Sequence, residues 1–150
     1  TEISSEMSTR FSEEEIARFL SDSNHMPNSV RDIEIALARD NRFIASSVID
    51  LDRIEVPRSD DLLNPMNYLQ GQLPMVMEAK VYSETGRGRL EIERVELAGI
   101  ELPDVLVREM IAKYTRSAYN PDGWDIDAFY AFPYRIEEVR VDSGEVIVVQ

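Results

Sequence analysis

Two long runs of alternating apolar and polar residues, joined by a turn, constrain the fold of this chain most strongly. The apolar positions of the first run recur at every second residue and are Leu73, Met75, Met77, Ala79 and Val81. Thr85-Gly-Arg-Gly88 then supplies the glycines that a hairpin turn requires. On the return, Leu90 and Ile92 share one phase, whereas Val95 and Leu97 share the other. This one-residue change predicts a β-bulge near Glu93-Arg94 that bends the strand.

Two further hairpins flank this one. Ile33, Ile35 and Leu37 alternate with less apolar residues, Asp40-Asn41 makes a turn, and the period of two continues from Phe43 to Leu51. The third hairpin turns at residues 142–145, between a run that contains Ile136, Val139 and Val141 and the final run Val146–Val149. The sequence therefore predicts three antiparallel pairs.

Two amphipathic helices are predicted among the hairpins. Ser12 and Glu15 have the spacing of a capping box, which predicts a helix from about residue 12 to 22. Leu102-Pro-Asp104 begins a second helix, which is expected to end near Ser117. The apolar side of this second helix consists of Leu106, Val107, Met110, Ile111 and Tyr114.

Consecutive hairpins indicate an antiparallel α+β fold rather than a doubly wound parallel sheet. The central strands are long, bent and apolar on one face, so we expect long curved hairpins wrapped around one or two amphipathic helices. Residues 1–10 are predicted to be a flexible leader, and residues 11–150 a single domain of ordinary size.

The charge and composition exclude several classes of partner. Twenty-nine acidic and 16 basic residues give a net charge of −13, which disfavours binding to nucleic acid or to anionic lipid surfaces. No cysteine is present, so disulfides and thiolate sites are excluded. No apolar run approaches the roughly 18 residues of a membrane-spanning helix. The chain begins at Thr1, which is consistent with an upstream segment such as a membrane anchor.

The stretch "YNPDGWDID" over residues 119–127 resembles a cation site at first sight. Calcium prefers oxygen ligands, and the stretch offers the side chains of Asn120, Asp122, Asp125 and Asp127. The calcium-loop spacing fails, however, because, counted from Asn120 as position 1, Trp124 would occupy the ligand position 5 and Asp125 would replace the glycine at position 6. Asn-Pro ends a helix, Pro-Asp-Gly forms a turn, and Trp124 and Ile126 alternate as at the start of a strand. The stretch is predicted to be a connection that binds no metal.

No residue pattern indicates catalysis. The only histidine, His25, lies in a polar stretch without an orienting partner. The sequence also lacks the nucleophile-elbow, phosphate-loop, dinucleotide and zinc-protease motifs. We therefore expect a protein that is not an enzyme and needs no cofactor.

Methionine and aromatic residues on the apolar faces suggest a binding groove. Methionine adapts to irregular apolar shapes, which suits an ordinary core as well as a lipid pocket. Both interpretations stay open. If the curved sheet does not close around its helix, it leaves an apolar groove lined by Met75, Met77, Met110, Ile111, Tyr114, Phe129 and Phe132.

Several stretches resemble a known group of proteins. They are "FSEEEIARFL", "VRDIEIALARDNRFIASSVIDLD", "AKVYSETGRGRLEIERVELAGIELP" and "FPYRIEEVRVDSGEVIVVQ". Together they are similar to small bacterial domains related to the tubular lipid-binding (TULIP) proteins, over residues 11–150. The resemblance implies an extracytoplasmic domain, often behind an N-terminal membrane anchor, that holds a lipid and has no catalytic residues. The chain departs from the pattern where "FYAFPYR" replaces a Leu-Pro-rich segment.

Two functions are compatible with these observations. The first is a non-enzymatic periplasmic or cell-surface domain that binds a lipid, an acyl chain or another apolar ligand; a cytoplasmic location stays open. The alternative is an acidic protein-interaction module with a fully packed core and no ligand.

Overall fold

The structure is a computed structural model that describes residues 7–22, 28–54, 60–114, 116, 118 and 121–150. Within these ranges the predicted antiparallel α+β architecture is confirmed, because the strands form two sheets accompanied by two α-helices. The elements are β1 (Ser8–Ser12), α1 (Glu13–Ser21), β2 (Val30–Leu37), β3 (Arg42–Asp50), β4 (Gln72–Glu84), β5 (Arg87–Leu97), β6 (Ile100–Glu101), α2 (Asp104–Tyr114), β7 (Tyr130–Ala131), β8 (Glu138–Asp142) and β9 (Glu145–Val149). Short 3-10 turns lie at Leu51–Arg53 and Pro65–Asn67.

The large sheet has the strand order β2-β3-β4-β5-β6, and β7 also pairs with β5. Its pairings place Met77 between Ala45 of β3 and Val95 of β5. Side chains alternate between the two faces of a strand, so the odd-numbered residues of β3 and β4 share one face, the inner face. This is the apolar phase that the sequence predicts for β4.

The predicted β-bulge in β5 is confirmed. Glu78 pairs with Arg94 and Ala79 pairs with Ile92, so Glu93 is the extra residue. The insertion keeps Ile92 and Val95 on the same face although they are three residues apart. This explains how apolar residues from both phases of β5 pack into the same core.

Strand β1 includes the last three residues of the predicted flexible leader. Residues 8–10 belong to β1, which pairs with β9 along Ser8–Ser12. These residues are polar and exposed, so no alternation marks them, and backbone pairing rather than burial places them in the sheet. Residues 1–6 lie outside the described part of the chain. The small sheet therefore has the order β1-β9-β8.

The capping box predicted at α1 is present. The Ser12 hydroxyl oxygen accepts a hydrogen bond from the Glu15 amide at 3.2 Å, and the Glu15 carboxylate accepts one from the Ser12 amide at 3.3 Å. Both bonds satisfy amide groups that lack partners inside the helix. The helix thus begins where the sequence predicts.

One apolar cluster joins α1 and the two sheets. Ile35 and Leu37 of the large sheet are buried together with Val141 and Val146 of the small sheet. Asn41 connects the sheets through its side-chain oxygen, which accepts a hydrogen bond from the Val141 amide at 2.8 Å. The two sheets therefore share a core and a polar connection.

A second apolar cluster lies beneath α2. Leu106 and Val107 of the helix are buried against Val95 and Leu97 of β5, and Met66 from a 3-10 turn is fully buried in the same cluster. Among the helices that the structure describes, none has the length and apolarity required to cross a membrane.

Candidate apolar binding site

Helix α2 and the inner face of the large sheet enclose an apolar cavity of about 200 Å³ that is partly open to solvent. Every residue that lines it is apolar. The lining consists of Ile49, Leu51, Ile54, Met75, Met77, Ile92, Val95, Leu97, Leu102, Val107, Met110 and Ile111. A lining of this kind offers no hydrogen-bonding side chain, so it favours hydrocarbon over polar ligands.

The cavity lining divides into two parts by burial. The buried part, which we call the floor, consists of Leu51, Val95, Leu97, Leu102 and Val107. The other seven lining residues are half-buried and form the mouth. Half-buried apolar side chains still expose surface to water, and covering that surface with a ligand is favourable by about 25 cal/mol per Å².

Four of the seven residues predicted for a groove line this cavity. Met75 and Met77 reach it because they lie on the inner face of β4, directly opposite Leu97 and Val95. Met110 and Ile111 reach it from α2, where they follow Val107 by about one helical turn. The structure thus brings the predicted strand methionines and helix residues together.

The remaining three predicted residues do not add to this lining. The Tyr114 side chain lies outside the described part of the structure. Phe129 instead contacts two cations, since the guanidinium carbons of Arg87 and Arg89 lie 5.9 and 5.8 Å from its ring centre. The Phe132 ring covers Gly88, where a Cβ would lie 2.3 Å from the ring.

Sequence reasoning missed most of the lining, although a signal for it existed. The missed residues, apart from Ile54 and Leu102, lie in the alternating runs or on the apolar side of the second helix, and periodicity cannot separate a packed position from a cavity wall. They are Ile49, Leu51, Ile54, Ile92, Val95, Leu97, Leu102 and Val107.

Residues 121–127 of the "YNPDGWDID" stretch form a connection that packs on α2. Gly123 is buried with a φ of +79°, and a Cβ at this position would lie 1.9 Å from the Ala112 carbonyl oxygen. The strand predicted at Trp124 and Ile126 is wrong. Residues 121–128 form turns and irregular backbone, and β7 begins only at Tyr130. The burial alternation at Trp124–Asp127 reflects packing of the turn.

No cation site is found in the described ranges, where no three acidic or histidine side chains converge as a metal would require. Asn120 and His25 lie outside those ranges. Asp127 bonds instead to Arg108, at 2.5 Å. This hydrogen bond from Arg108 lowers the pKa of the Asp127 carboxyl, and together with Asp104 the same contact raises the pKa of Arg108.

A second apolar groove, of about 760 Å³, lies between α1 and the small sheet. Charged side chains of Glu15, Arg18 and Asp22 contribute to it, and two of its three aromatic residues, Phe19 and Tyr134, are 58% and 82% exposed. It is therefore a shallow surface feature with mixed polarity, in contrast to the wholly apolar cavity under α2.

Comparison of the chain with protein-family models, with curated proteins and with solved structures finds no match.

Proposed function

We propose that this domain binds an apolar ligand in the cavity between α2 and the large sheet and performs no catalysis. The observation that carries the proposal is the wholly apolar lining, in which a buried floor is combined with a half-buried mouth. A closed core would bury all of these side chains, whereas the mouth keeps apolar surface available to a ligand.

The volume of the cavity limits the ligand. A cavity of about 200 Å³ holds about seven methylene-sized groups if each takes roughly the 30 Å³ of a water molecule. Drug-sized ligands usually occupy about 300–1,000 Å³. The proposed ligand is therefore a single hydrocarbon chain or the end of an acyl chain, and not a whole two-chain lipid.

We propose further that the large sheet curves around α2 and that the bulge at Glu93 produces the bend. The support is the position of the bulge, since the residues on either side of it, Ile92 and Val95, both line the cavity. Bulges increase the local twist and bend of a strand. On this view the curvature, and not the apolar pattern alone, creates the space for a ligand.

The resemblance to the TULIP-related domains adds an extracytoplasmic location and an upstream membrane anchor to the proposal. The antiparallel α+β architecture is compatible with that resemblance but is shared by many unrelated folds. Fractionation of cells that produce the natural protein tests the location, and recovery with the cytoplasmic fraction would contradict it.

The methionines provide a direct test of ligand binding. With ¹³C-labelled methionine methyl groups, addition of 1-octanol is expected to shift the signals of Met75, Met77 and Met110, which line the cavity. The signal of Met7, which is 61% exposed and outside the lining, should stay unchanged. Equal shifts of all signals, or no shifts, would contradict the proposal.

A substitution that fills the cavity tests the same proposal, and a matched substitution outside the cavity is its control. Ile111→Phe enlarges a half-buried residue of the mouth and is expected to abolish the octanol-induced shifts. Ile44→Phe makes the same chemical change on β3 at a residue outside the cavity lining, where the side chain is 39% exposed. This second variant should bind octanol as the unmodified protein does.

The alternative, a protein-interaction module, is favoured by one surface feature. Leu62 and Leu63 are 78% and 88% exposed, yet their loop is held in place. The Tyr68 hydroxyl donates a hydrogen bond to the Leu62 carbonyl at 2.7 Å, and the Asp61 carboxylate accepts one from the Leu63 amide at 3.0 Å. An ordered, exposed leucine pair beside acidic residues suits a partner with a basic and apolar surface.

A pull-down with the double substitution Leu62→Ser and Leu63→Ser tests this second function. A partner that is lost with the substitution and released by salt would support it. Retention of every partner by the substituted protein would exclude this loop as the docking surface.

A further inference from the structure

The edge of β5 that faces away from β4 is paired at both of its ends and open in the middle. At one end β7 pairs with Arg87 and Gly88, and at the other end β6 pairs with Glu96 and Leu97. In the described part of the chain no strand pairs with residues 89–94 on this edge. An open strand edge offers unpaired backbone groups as a template for one more strand.

The strand register shows which backbone groups face the open edge. The hairpin of β4 and β5 closes at Arg87 through a two-residue turn, and hydrogen-bonded pairs recur at every second residue of an antiparallel ladder. Arg89 and Glu91 therefore exchange backbone hydrogen bonds with β4. The alternate residues Leu90 and Ile92 direct their N–H and C=O groups to the open edge.

These four backbone groups have no partner among the described residues, although their neighbours on the same edge are bonded. On one side, the Phe132 amide donates a hydrogen bond to the Gly86 carbonyl at 2.9 Å. On the other side, the Leu102 amide donates one to the Val95 carbonyl, also at 2.9 Å. A strand that pairs between these two bonds would satisfy two donors and two acceptors of β5.

A polar pocket of about 550 Å³ lies along the open edge and is lined by residues 89–93. Ile126 and Asp127 of the connection line it as well, as do Asp104 and Arg108 of α2. At roughly 30 Å³ for each water-sized group, this volume holds about 18 groups, which corresponds to three or four small residues. The pocket is partly open to solvent, so the ends of a longer segment can extend out of it.

The charges of the pocket balance. Four cations and four carboxylates line it, namely Arg42, Lys80, Arg89, Arg108, Glu91, Glu93, Asp104 and Asp127. Several of them are paired with one another, since Arg42 lies 3.3 Å from Glu93 and Arg108 lies 2.9 Å from Asp104. An uncharged peptide segment can therefore bind there without leaving an unbalanced charge.

The register also indicates the side chains that an added segment requires. Directly paired residues of neighbouring strands project to the same face of a sheet. Leu90 and Ile92 stand opposite Val81 and Ala79 and so project to the inner face. The two residues of the added segment that pair with them should be apolar. The residue between these two would lie on the other face, beside Glu91, and should be polar.

We propose that the open edge of β5 at Leu90 and Ile92 binds an extended, uncharged segment of a partner protein as an additional antiparallel strand. The antiparallel direction follows from β6 and β7, which both pair with β5 in that direction. In this mode of recognition, backbone hydrogen bonds provide affinity and alternate side chains provide specificity. The site goes beyond the proposed function, because it uses backbone groups of β5 that the apolar cavity does not require.

Hydrogen exchange of the free protein tests whether the edge is open. The amides of Leu90 and Ile92 should exchange at least about tenfold faster than those of Arg89 and Glu91, which are bonded to β4. Equal protection of all four amides would show that the edge is already covered and would overturn the proposal. Protection of Leu90 and Ile92 that appears only at high protein concentration would assign the edge to a second copy of the chain, and would overturn it as well.

A capped peptide, acetyl-Thr-Val-Thr-Val-Thr-amide, is the probe for binding, since its two valines can pair with Leu90 and Ile92. It is expected to shift the ¹⁵N–¹H signals of these two amides and to slow their exchange. N-methylation of both valines removes the N–H groups that would face β5, so the affinity should fall at least about tenfold. The matched control is N-methylation of the central and last threonines, whose N–H groups would face away from β5. This control peptide should bind as the unmodified one does.

Three results of the peptide experiment would contradict the proposal. The first is the absence of shifts at Leu90 and Ile92. The second is shifts confined to β1 or β2, which lie at the edges of the two sheets. The third is an equal loss of affinity for both methylated peptides, which would mean that the backbone hydrogen bonds are not the basis of binding. Each of these results leaves the octanol experiments unaffected, so the two sites can fail separately.

Discussion

Gly123 packs against the Ala112 carbonyl oxygen of α2, so closely that a Cβ on Gly123 would lie 1.9 Å from that oxygen. Real Cβ atoms do not approach backbone oxygens at this distance, so the contact requires glycine. Gly123 also has a φ of +79°, which other residues adopt only with strain. The contact at Gly123 thereby holds this part of the connection against the helix that covers the cavity.

The first prediction concerns this contact. Gly123→Ala should lower the free energy of unfolding by about 2–3 kcal/mol, because the added methyl group overpacks the contact and the backbone is strained. Urea denaturation measures the change. Gly99→Ala is the matched control, since Gly99 has the same φ of +79° but no atom within 4 Å of its Cβ position. It should cost only about 1–2 kcal/mol, from backbone strain alone. Equal losses in both variants would contradict the packing account.

The second prediction concerns pH. Because Arg108 donates a hydrogen bond to Asp127, the pKa of Asp127 in the folded protein is below its usual value of about 3.9. A lowered folded-state pKa contributes stability above the unfolded-state pKa, and this contribution is lost as the pH falls through the folded-state pKa. Carboxyl ¹³C NMR titration should show the Asp127 midpoint rising towards the usual value in Arg108→Gln. An unchanged midpoint in that variant would contradict the assignment.

The third prediction concerns the bulge in β5. Deletion of Glu93 leaves Ile92 opposite Ala79 and Arg94 opposite Glu78, so the pairing becomes regular without reversing any side chain. If the bend creates the cavity, the affinity for octanol should fall about tenfold, the equivalent of nearly two lost methylene contacts at about 0.8 kcal/mol each. Glu93→Ala keeps the extra residue and removes only the side chain that pairs with Arg42, so it should retain octanol binding. Full affinity after the deletion would show that the bend is dispensable.

The fourth prediction uses two serines that differ in their hydrogen bonds. Ser47 is buried, and its hydroxyl has no partner within the described structure. Ser47→Ala should therefore raise the free energy of unfolding by about 1 kcal/mol, since it removes an unsatisfied polar atom. Ser83 instead donates a hydrogen bond to the Val139 carbonyl at 3.0 Å across the two sheets, so Ser83→Ala should lower stability by about 1 kcal/mol. The two changes are measured by thermal or urea unfolding, and effects of the same sign would contradict the assignment of partners.

The sequence predicts the parts of this fold that local patterns control. The alternation from Leu73 to Val81, the phase change at Glu93-Arg94 and the capping box at Ser12 each have a local physical cause, and each appears in the structure. Residues 8–10 of β1 lack such a pattern, because their place depends on a partner strand more than 130 residues away.

The candidate site could be predicted only in part for a similar reason. Met75, Met77, Met110 and Ile111 lie on apolar faces that periodicity identifies, and the structure brings them together. Phe129 and Phe132 are as apolar, but their neighbours are the cations Arg87 and Arg89 and the glycine Gly88. Which residues surround an apolar side chain depends on the tertiary fold, and the spacing of residues in the sequence does not indicate it.

The fifth prediction is the most direct test of ligand binding, and calorimetric titration with 1-alkanols of increasing length provides it. Each methylene that enters the cavity contributes about 0.8 kcal/mol, so the affinity should rise about fourfold per carbon. The rise should end near seven or eight carbons, where a cavity of about 200 Å³ is full. The same series with Ile111→Phe should show no binding. An affinity that is absent at every length, or that keeps rising well beyond eight carbons, would contradict a bounded apolar site beneath α2.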